Sequence, residues 1–252
     1  MTKNNVMIFT DGSSRGNPGP GGFGAVVVYA DSAGRIQVDE LGGSEAMATN
    51  NRMEMNAALA ALKHFEDYFD KTSAKESLYT IYTDSSYLIN GITRWVSGWQ
   101  RNNWQTKEKK EVLNKDLWQK LADISLGKKI KWEYIGGHRG IAGNERCDVI
   151  ATAFADNAPE SLYKGSLEGY KALHHIDILN IKVDPVLDGA RSASKNRSSA
   201  KAYSYLSLVE GVLQKHKTWA ECEKRVKGAK GAKYKKALDA REEKNIIEGW
   251  QR

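Results

Sequence analysis

Residues 5–30 read NVMIFTDGSSRGNPGPGGFGAVVVYA, and the architecture follows from this stretch. Residues 6–10 form a short apolar run suited to a pleated strand, halted by the turn signal Asp11-Gly12. Residues 16–22 (GNPGPGG) are a dense breaker, after which residues 24–30 (GAVVVYA) predict a second strand. Residues 35–41 alternate as its hairpin partner. Over residues 49–69 the period changes. Met53, Ala57, Ala60, Ala61, His64, Phe65 and Tyr68 recur at helical spacing, with Thr49 or Asn50 as the N-cap. Residues 78–83 (LYTIYT) predict a buried strand ending at Asp84, residues 107–126 a helix, 130–135 a strand and 143–157 a closing helix. This order predicts an α/β fold, a mixed sheet with helices packed on it.

The remainder of the chain differs in character. Residues 176–183 (IDILNIKV) alternate, as an extra strand or a docked extension would, and residues 185–200, rich in Ser, Ala, Arg and Gly, read as a linker. Beyond it, residues 203–209 and 212–216 predict paired strands, 218–227 a helix capped by Thr218, and 240–250 a last helix. Three segments result: 1–158, an extension and linker over 159–200, and a small α+β domain over 201–252. The net charge of +7 is unevenly spread. Residues 1–184 hold 22 Lys and Arg against 23 Asp and Glu, whereas residues 185–252 hold 16 against 8. A basic C-terminal module of this kind fits a nucleic acid or another anionic surface, with a solvated basic tail as the plain alternative. Cys147 and Cys222 match no metal-site or disulfide spacing, so a reducing, cytoplasmic setting is expected. Neither a signal peptide nor an apolar run of membrane-spanning length occurs, so no membrane partner is expected.

Four acidic residues sit in recognisable settings: Asp11 in IFTDGS, Glu54 in TNNRMEMNAAL, Asp84 in YTIYTDSSY and Asp148 in GNERCDVIA. Any one of them alone is ordinary turn or helix chemistry. Together, two at strand ends and two on helices, they fit converging ligands for hard divalent cations, which prefer one or two carboxylates each with water and phosphate oxygens. Two such ions about 3.5–4 Å apart clamp the attacking and leaving oxygens of a phosphodiester.

The flanking segments TDGSSRGNPGPGG, TNNRMEMNAALAAL, YTDSSYLINGI, GITRWVSGWQRNNWQTKEKKEVLNKDLW and GHRGIAGNERCD closely resemble the ribonuclease H type 1 family over residues 5–158. The resemblance implies a five-stranded mixed sheet with flanking helices. It also implies an endonuclease, active as a monomer, that cleaves the RNA strand of RNA–DNA hybrids to 5′-phosphate and 3′-hydroxyl ends. Asp11, Glu54, Asp84 and Asp148 match the family's ligands for two Mg²⁺ ions, with Mn²⁺ as a substitute, and His138 matches its catalytic-loop histidine. Ser14, Asn17, Asn50, Asn51 and Ser86 fall on minor-groove and 2′-hydroxyl contacts, and Thr49 on a DNA-phosphate contact. Ser86 departs from the larger polar side chain common there. Trp95, Trp99 and Trp104, in a segment (91–120) with seven Lys and Arg against three Asp and Glu, resemble the family's basic protrusion. Trp118 is expected in the core. A second resemblance covers residues 218–236, TWAECEKRVKGAKGAKYKK, which are similar to the hybrid-binding, viroplasmin-like domain found at the N-terminus of eukaryotic members. It implies that Trp219, Lys235 and Lys236 face the DNA strand, with duplex RNA as a second ligand class. A noncatalytic hybrid- or duplex-RNA-binding protein and an integrase or junction resolvase on the same fold are the competing readings. The complete set of four carboxylates opposes the first, and the Trp-rich basic insert with NNRMEMN opposes the second.

Overall fold

The computed structural model describes residues 5–68, 77–136, 140–182 and 201–251. The chain divides into two compact units, Met1–Leu187 and Asp188–Arg252. In the first unit, strands β1 (Asn5–Ser14), β2 (Gly19–Ala30) and β3 (Ile36–Ala48) form an antiparallel meander, and β4 (Leu78–Thr83) and β5 (Lys129–Tyr134) add in parallel on the β1 side. The sheet has six strands rather than five, in the order β5-β4-β1-β2-β3-β6. The sixth, β6 (Lys164–Ser166), pairs with Gln37–Asp39 at the β3 edge.

Helix α1 (Asn50–Tyr68) joins β3 to β4. After β4 come α2 (Ser86–Asn90), a π-helical turn (Gly91–Trp95), α3 (Val96–Arg101) and α4 (Lys115–Ser125). Helix α5 (Ala142–Ala155) follows β5, and α6 (Leu167–His174) follows β6. Strand alternation feeds two cores. Ile8, Val27 and Ile81 pack with Leu62 and Phe65 of α1 and Trp118 of α4 on one side. Phe9, Val26 and Val28 pack with Cys147 and Ile150 of α5 on the other.

Several expectations are corrected. Asp11-Gly12 does not halt the first strand, because β1 runs on to Ser14 with Asp11 paired to Gly24 of β2. The segment 107–126 is helical only from Lys115, because Asn114 adopts a left-handed conformation (φ 59°). The alternation over 176–183 takes the second of its two alternatives, a docked extension, since its described part forms no strand. Instead Asn180 N–H donates to the Asp177 carbonyl in a turn (3.0 Å), and Ile178 is fully buried as a plug in the α5 core. The breaker stretch is partly strand, since β2 already begins at Gly19. The expected linker, residues 185–200, lies outside the described residues.

The second unit is a three-stranded sheet, order β8-β7-β9, of β7 (Ser204–Val209), β8 (Val212–His216) and β9 (Lys233–Ala237). Helix α7 (Trp219–Val226) starts in a capping box, in which Thr218 accepts from Glu221 N–H and the Glu221 side chain returns to the cap. Tyr205 and Ser207 of β7 meet α7 through Trp219 and Arg225. Ser204 and Leu206, on the alternate face, meet α8 (Ala240–Gln251) through Glu243 and Ile246.

Candidate active site

Parallel pairing of β1 and β4 sets Thr10 opposite Thr83, so Asp11, still within β1, and Asp84, one residue past β4, lie side by side. Glu54 comes from the second turn of α1. A Cβ on Gly12 would lie 2.3 Å from the Glu54 backbone nitrogen, so only glycine lets α1 sit this close to β1. Asp148 rides on α5, which comes down on β2 where a Cβ on Gly24 would meet the Cys147 carbonyl oxygen at 2.3 Å.

The structure brings one carboxylate oxygen each of Asp11, Glu54 and Asp84 within 4.8 Å of one another. Asp148, half-buried, stands outside that set but near enough for its charge to act on Asp11. Burial, then Asp84, pushes the Asp11 carboxyl up to about 8, against the opposing Gly12 N–H (2.7 Å). Burial, then Asp11 and Asp84, also raises Glu54 well above the ordinary range. Glu54 Oε1 accepts a long bond from Asn50 Nδ2 (3.4 Å), while its buried Oε2 has no hydrogen-bond partner. Repelling carboxylates with an orphaned buried oxygen fit a divalent cation, which would neutralise the charge and satisfy that oxygen.

Around this centre the expected contacts separate. Ser14, half-buried, ends β1, and Asn17 is exposed in the β1–β2 turn. Thr49 is the α1 N-cap, its Oγ1 accepting from Arg52 N–H (3.3 Å), which puts Asn50 and Asn51 in the first turn. Ser86 is exposed at the start of α2, behind Ser85, which caps Leu88 N–H (3.2 Å). Trp95 is exposed, but Trp99 and Trp104 are half-buried and pack against the core, so part of the expected protrusion is core material. Trp118 is fully buried. Trp95, Trp99 and Trp118 form a chain of ring contacts at 5.6 and 5.8 Å, and the cations Lys107, Lys109 and Lys110 are exposed beyond it. His138 lies outside the described residues.

Sequence reasoning passed over Arg52. It makes two bonds to Asp116 on α4 (3.0 and 3.1 Å) and reaches Glu45 on β3 (3.4 Å), fixing the start of α1 two residues before Glu54. A signal was present, because a cation in the first turn of a helix opposes the helix dipole and calls for acidic partners.

In the second unit Trp219 packs between Tyr205 (5.8 Å) and Tyr234 (5.3 Å), with Tyr234 over half exposed. Lys236 pairs across the sheet with Tyr205 and shares this face. Lys235 pairs with Leu206 and leaves on the α8 side, so the two lysines do not project together.

The ribonuclease H family model matches residues 3–156, and a model described as the ribonuclease H1 N-terminal domain matches residues 216–239. A ribonuclease H of Cyanothece sp. is 50% identical over 148 residues, 59% of this chain and 87% of that protein. One from Thermosynechococcus vestitus is 46% identical over 62% of this chain and 91% of its own length. Among solved structures, LC9-RNase H1, a type 1 RNase H with the type 2 active-site motif, superposes with a TM-score of 0.57 at 28% identity, covering 74% of this chain and 95% of that one. A foamy viral protease–reverse transcriptase solved with an RNA/DNA hybrid shares the fold, at a TM-score of 0.51 and 19% identity over 62% of this chain and 20% of its own. By this evidence the chain belongs to the ribonuclease H family.

Proposed function

We propose that this endoribonuclease hydrolyses the RNA strand of RNA–DNA hybrids at the Asp11–Glu54–Asp84 centre, with Asp148 completing the ligand set for two Mg²⁺ ions. The observation that carries the reading is the convergence of three carboxylates from β1, α1 and the end of β4, one of them with an unpartnered buried oxygen. Two bound divalent ions supply the Lewis acidity that activates water and stabilises a departing 3′-oxygen. The protein's part is to hold the carboxylates in place before substrate arrives. Gly12 admits α1, and Asn50 and Arg52 fix its first turns. Ser14, Asn17, Asn50, Asn51 and Ser86 surround the centre with short polar groups suited to reading 2′-hydroxyls, the feature that separates RNA from DNA. Thr49 and the exposed Trp95, with Lys107, Lys109 and Lys110, form the DNA-strand contacts, and Trp99 and Trp104 support them from the core; these contacts set affinity and salt dependence rather than sequence choice. His138, ten residues before Asp148 in the sequence, moves protons or assists product release. The C-terminal unit presents Trp219, Tyr234 and Lys236 as a stacking and phosphate-binding face for the hybrid, and Lys235, on the other side of the sheet, is left out of it.

Cleavage of a labelled hybrid in Mg²⁺, beside duplex DNA and duplex RNA, tests the reading with wild type and Asp84→Asn. Hybrid-selective cutting lost in the variant is the expected result. Equal cutting of duplex DNA, or activity that survives the substitution, would overturn it. For the second unit, Trp219→Ala should raise KM for the hybrid about tenfold at unchanged kcat, the loss of one stacking contact. An unchanged KM would remove that unit from substrate binding.

A further inference from the structure

A second buried polar cluster of the first unit gathers around Glu40 and Arg146. Glu40 of β3 has a side chain with no exposure, and all of its hydrogen bonds are filled. Oε1 accepts from Arg146 Nε (2.7 Å) and Tyr170 OH (2.9 Å), and Oε2 from Arg146 Nη2 (3.0 Å) and Tyr163 N–H (3.0 Å). The Glu40 N–H in turn donates to the Tyr163 carbonyl (2.8 Å), and Arg146 Nη1 reaches Glu160 (3.2 Å). Glu160, Tyr163 and Tyr170 all lie beyond residue 156, where the family match ends. Leu167, Tyr170 and Ile178 from the same extension pack in one core with Cys147 and Ile150 of α5.

Arg146 stands two residues before Asp148 on α5, about 200° around the helix axis. A guanidinium held bidentate by a buried carboxylate fixes the rotation of α5, and therefore where the opposite side of the helix points. We propose that the extension after residue 156, acting through Glu40 and Arg146, is a positioning device that sets Asp148 for metal binding. The extension seats Glu40 and Arg146 with Tyr163 and Tyr170, these orient α5, and α5 presents Asp148 to Asp11. Arg146, Glu40 and Tyr170 are positioning residues, since none of them touches the reacting atoms. The proposal rests on the reading of Asp148 as a ligand.

The test is Mn²⁺ binding to the full chain without nucleic acid, followed by paramagnetic resonance, together with the Mg²⁺ concentration for half-maximal cleavage. Arg146→Lys, which keeps the charge but loses the fork, should weaken both about tenfold, the size of effect seen when outer partners of metal ligands are removed. Tyr170→Phe should weaken both to a smaller degree and serves if Arg146→Lys does not fold. In an Asp148→Asn background neither substitution should weaken binding further. Equal losses in both backgrounds, or a lowered Tm with unchanged Mn²⁺ affinity, would overturn the positioning role alone. Wild-type Mn²⁺ binding by Asp148→Asn itself would overturn the ligand reading, and the positioning role with it.

Discussion

Two buried carboxylate sites in the first unit are built in opposite ways. At the Asp11–Glu54–Asp84 centre, acids face acids, Glu54 keeps an orphaned oxygen, and Asp11 and Glu54 are pushed above their ordinary range. At Glu40, burial would raise the carboxyl, but the Arg146 guanidinium, the Tyr163 N–H and the Tyr170 hydroxyl together hold it below its ordinary value. Equal burial with opposite shifts shows that depth in the protein does not by itself reveal function. Partnership does. The satisfied acid holds the fold together, and the cluster that carries the orphaned oxygen of Glu54 awaits charge from outside.

The largest effect that should divide the two sites is on turnover. Glu54→Gln is expected to lower hybrid cleavage roughly a thousandfold, as loss of several kcal/mol of transition-state stabilisation would require, with steady-state kinetics as the check. Glu40→Ala strands Arg146 in a half-buried position and should destabilise the unit by about 3 kcal/mol in urea unfolding. Glu54→Gln should act with the reverse sign on metal-free protein, raising stability by about 1 kcal/mol, because relief of a repelling active-site cluster is a common stabilising change. If that variant instead melts lower in chelator, the cluster is not strained.

The smallest and most discriminating signal is the pH dependence of metal-free stability. Asp11, raised from 3.8 to about 8, binds more protons folded than unfolded, so its contribution falls as pH rises across that window. Glu40, held below 4.5, contributes fully above that value and loses its contribution as pH drops through the folded value. Thermal melts from pH 3 to 9 should show both limbs. Mg²⁺ should flatten the upper one, and Glu40→Gln the lower.

Much of the centre was legible because strand ends announce themselves. Asp84 follows directly from a β-branched run that stops at Asp-Ser, whereas Asp-Gly is no stop: β1 continues to Ser14, and Asp11 reaches the centre from within the strand. The glycine run was misread in part because glycine has no strand preference. Its role emerges only once α5 is seen to pack where side chains would collide. β9 was missed because KYKKA is an exposed edge strand with lysines on both faces, which leaves no apolar alternation. The extension was opaque for a different reason: it docks through isolated plugs such as Tyr163, Tyr170 and Ile178, and plugs have no period. The aromatic stripe was legible as a set but not by depth, since spacing does not tell Trp95 from Trp99.

Strand β6 is only three residues long, yet it occupies the margin of β3 at Gln37, Val38 and Asp39. A sheet margin with free amides and carbonyls is a template for unwanted pairing with another chain. The opposite margin, β5, carries Lys129 and Lys131, charges that discourage such stacking. By covering these three residues the short strand should disfavour self-association, and a molecule cut before Lys164 should lose colloidal solubility at concentrations the full chain tolerates.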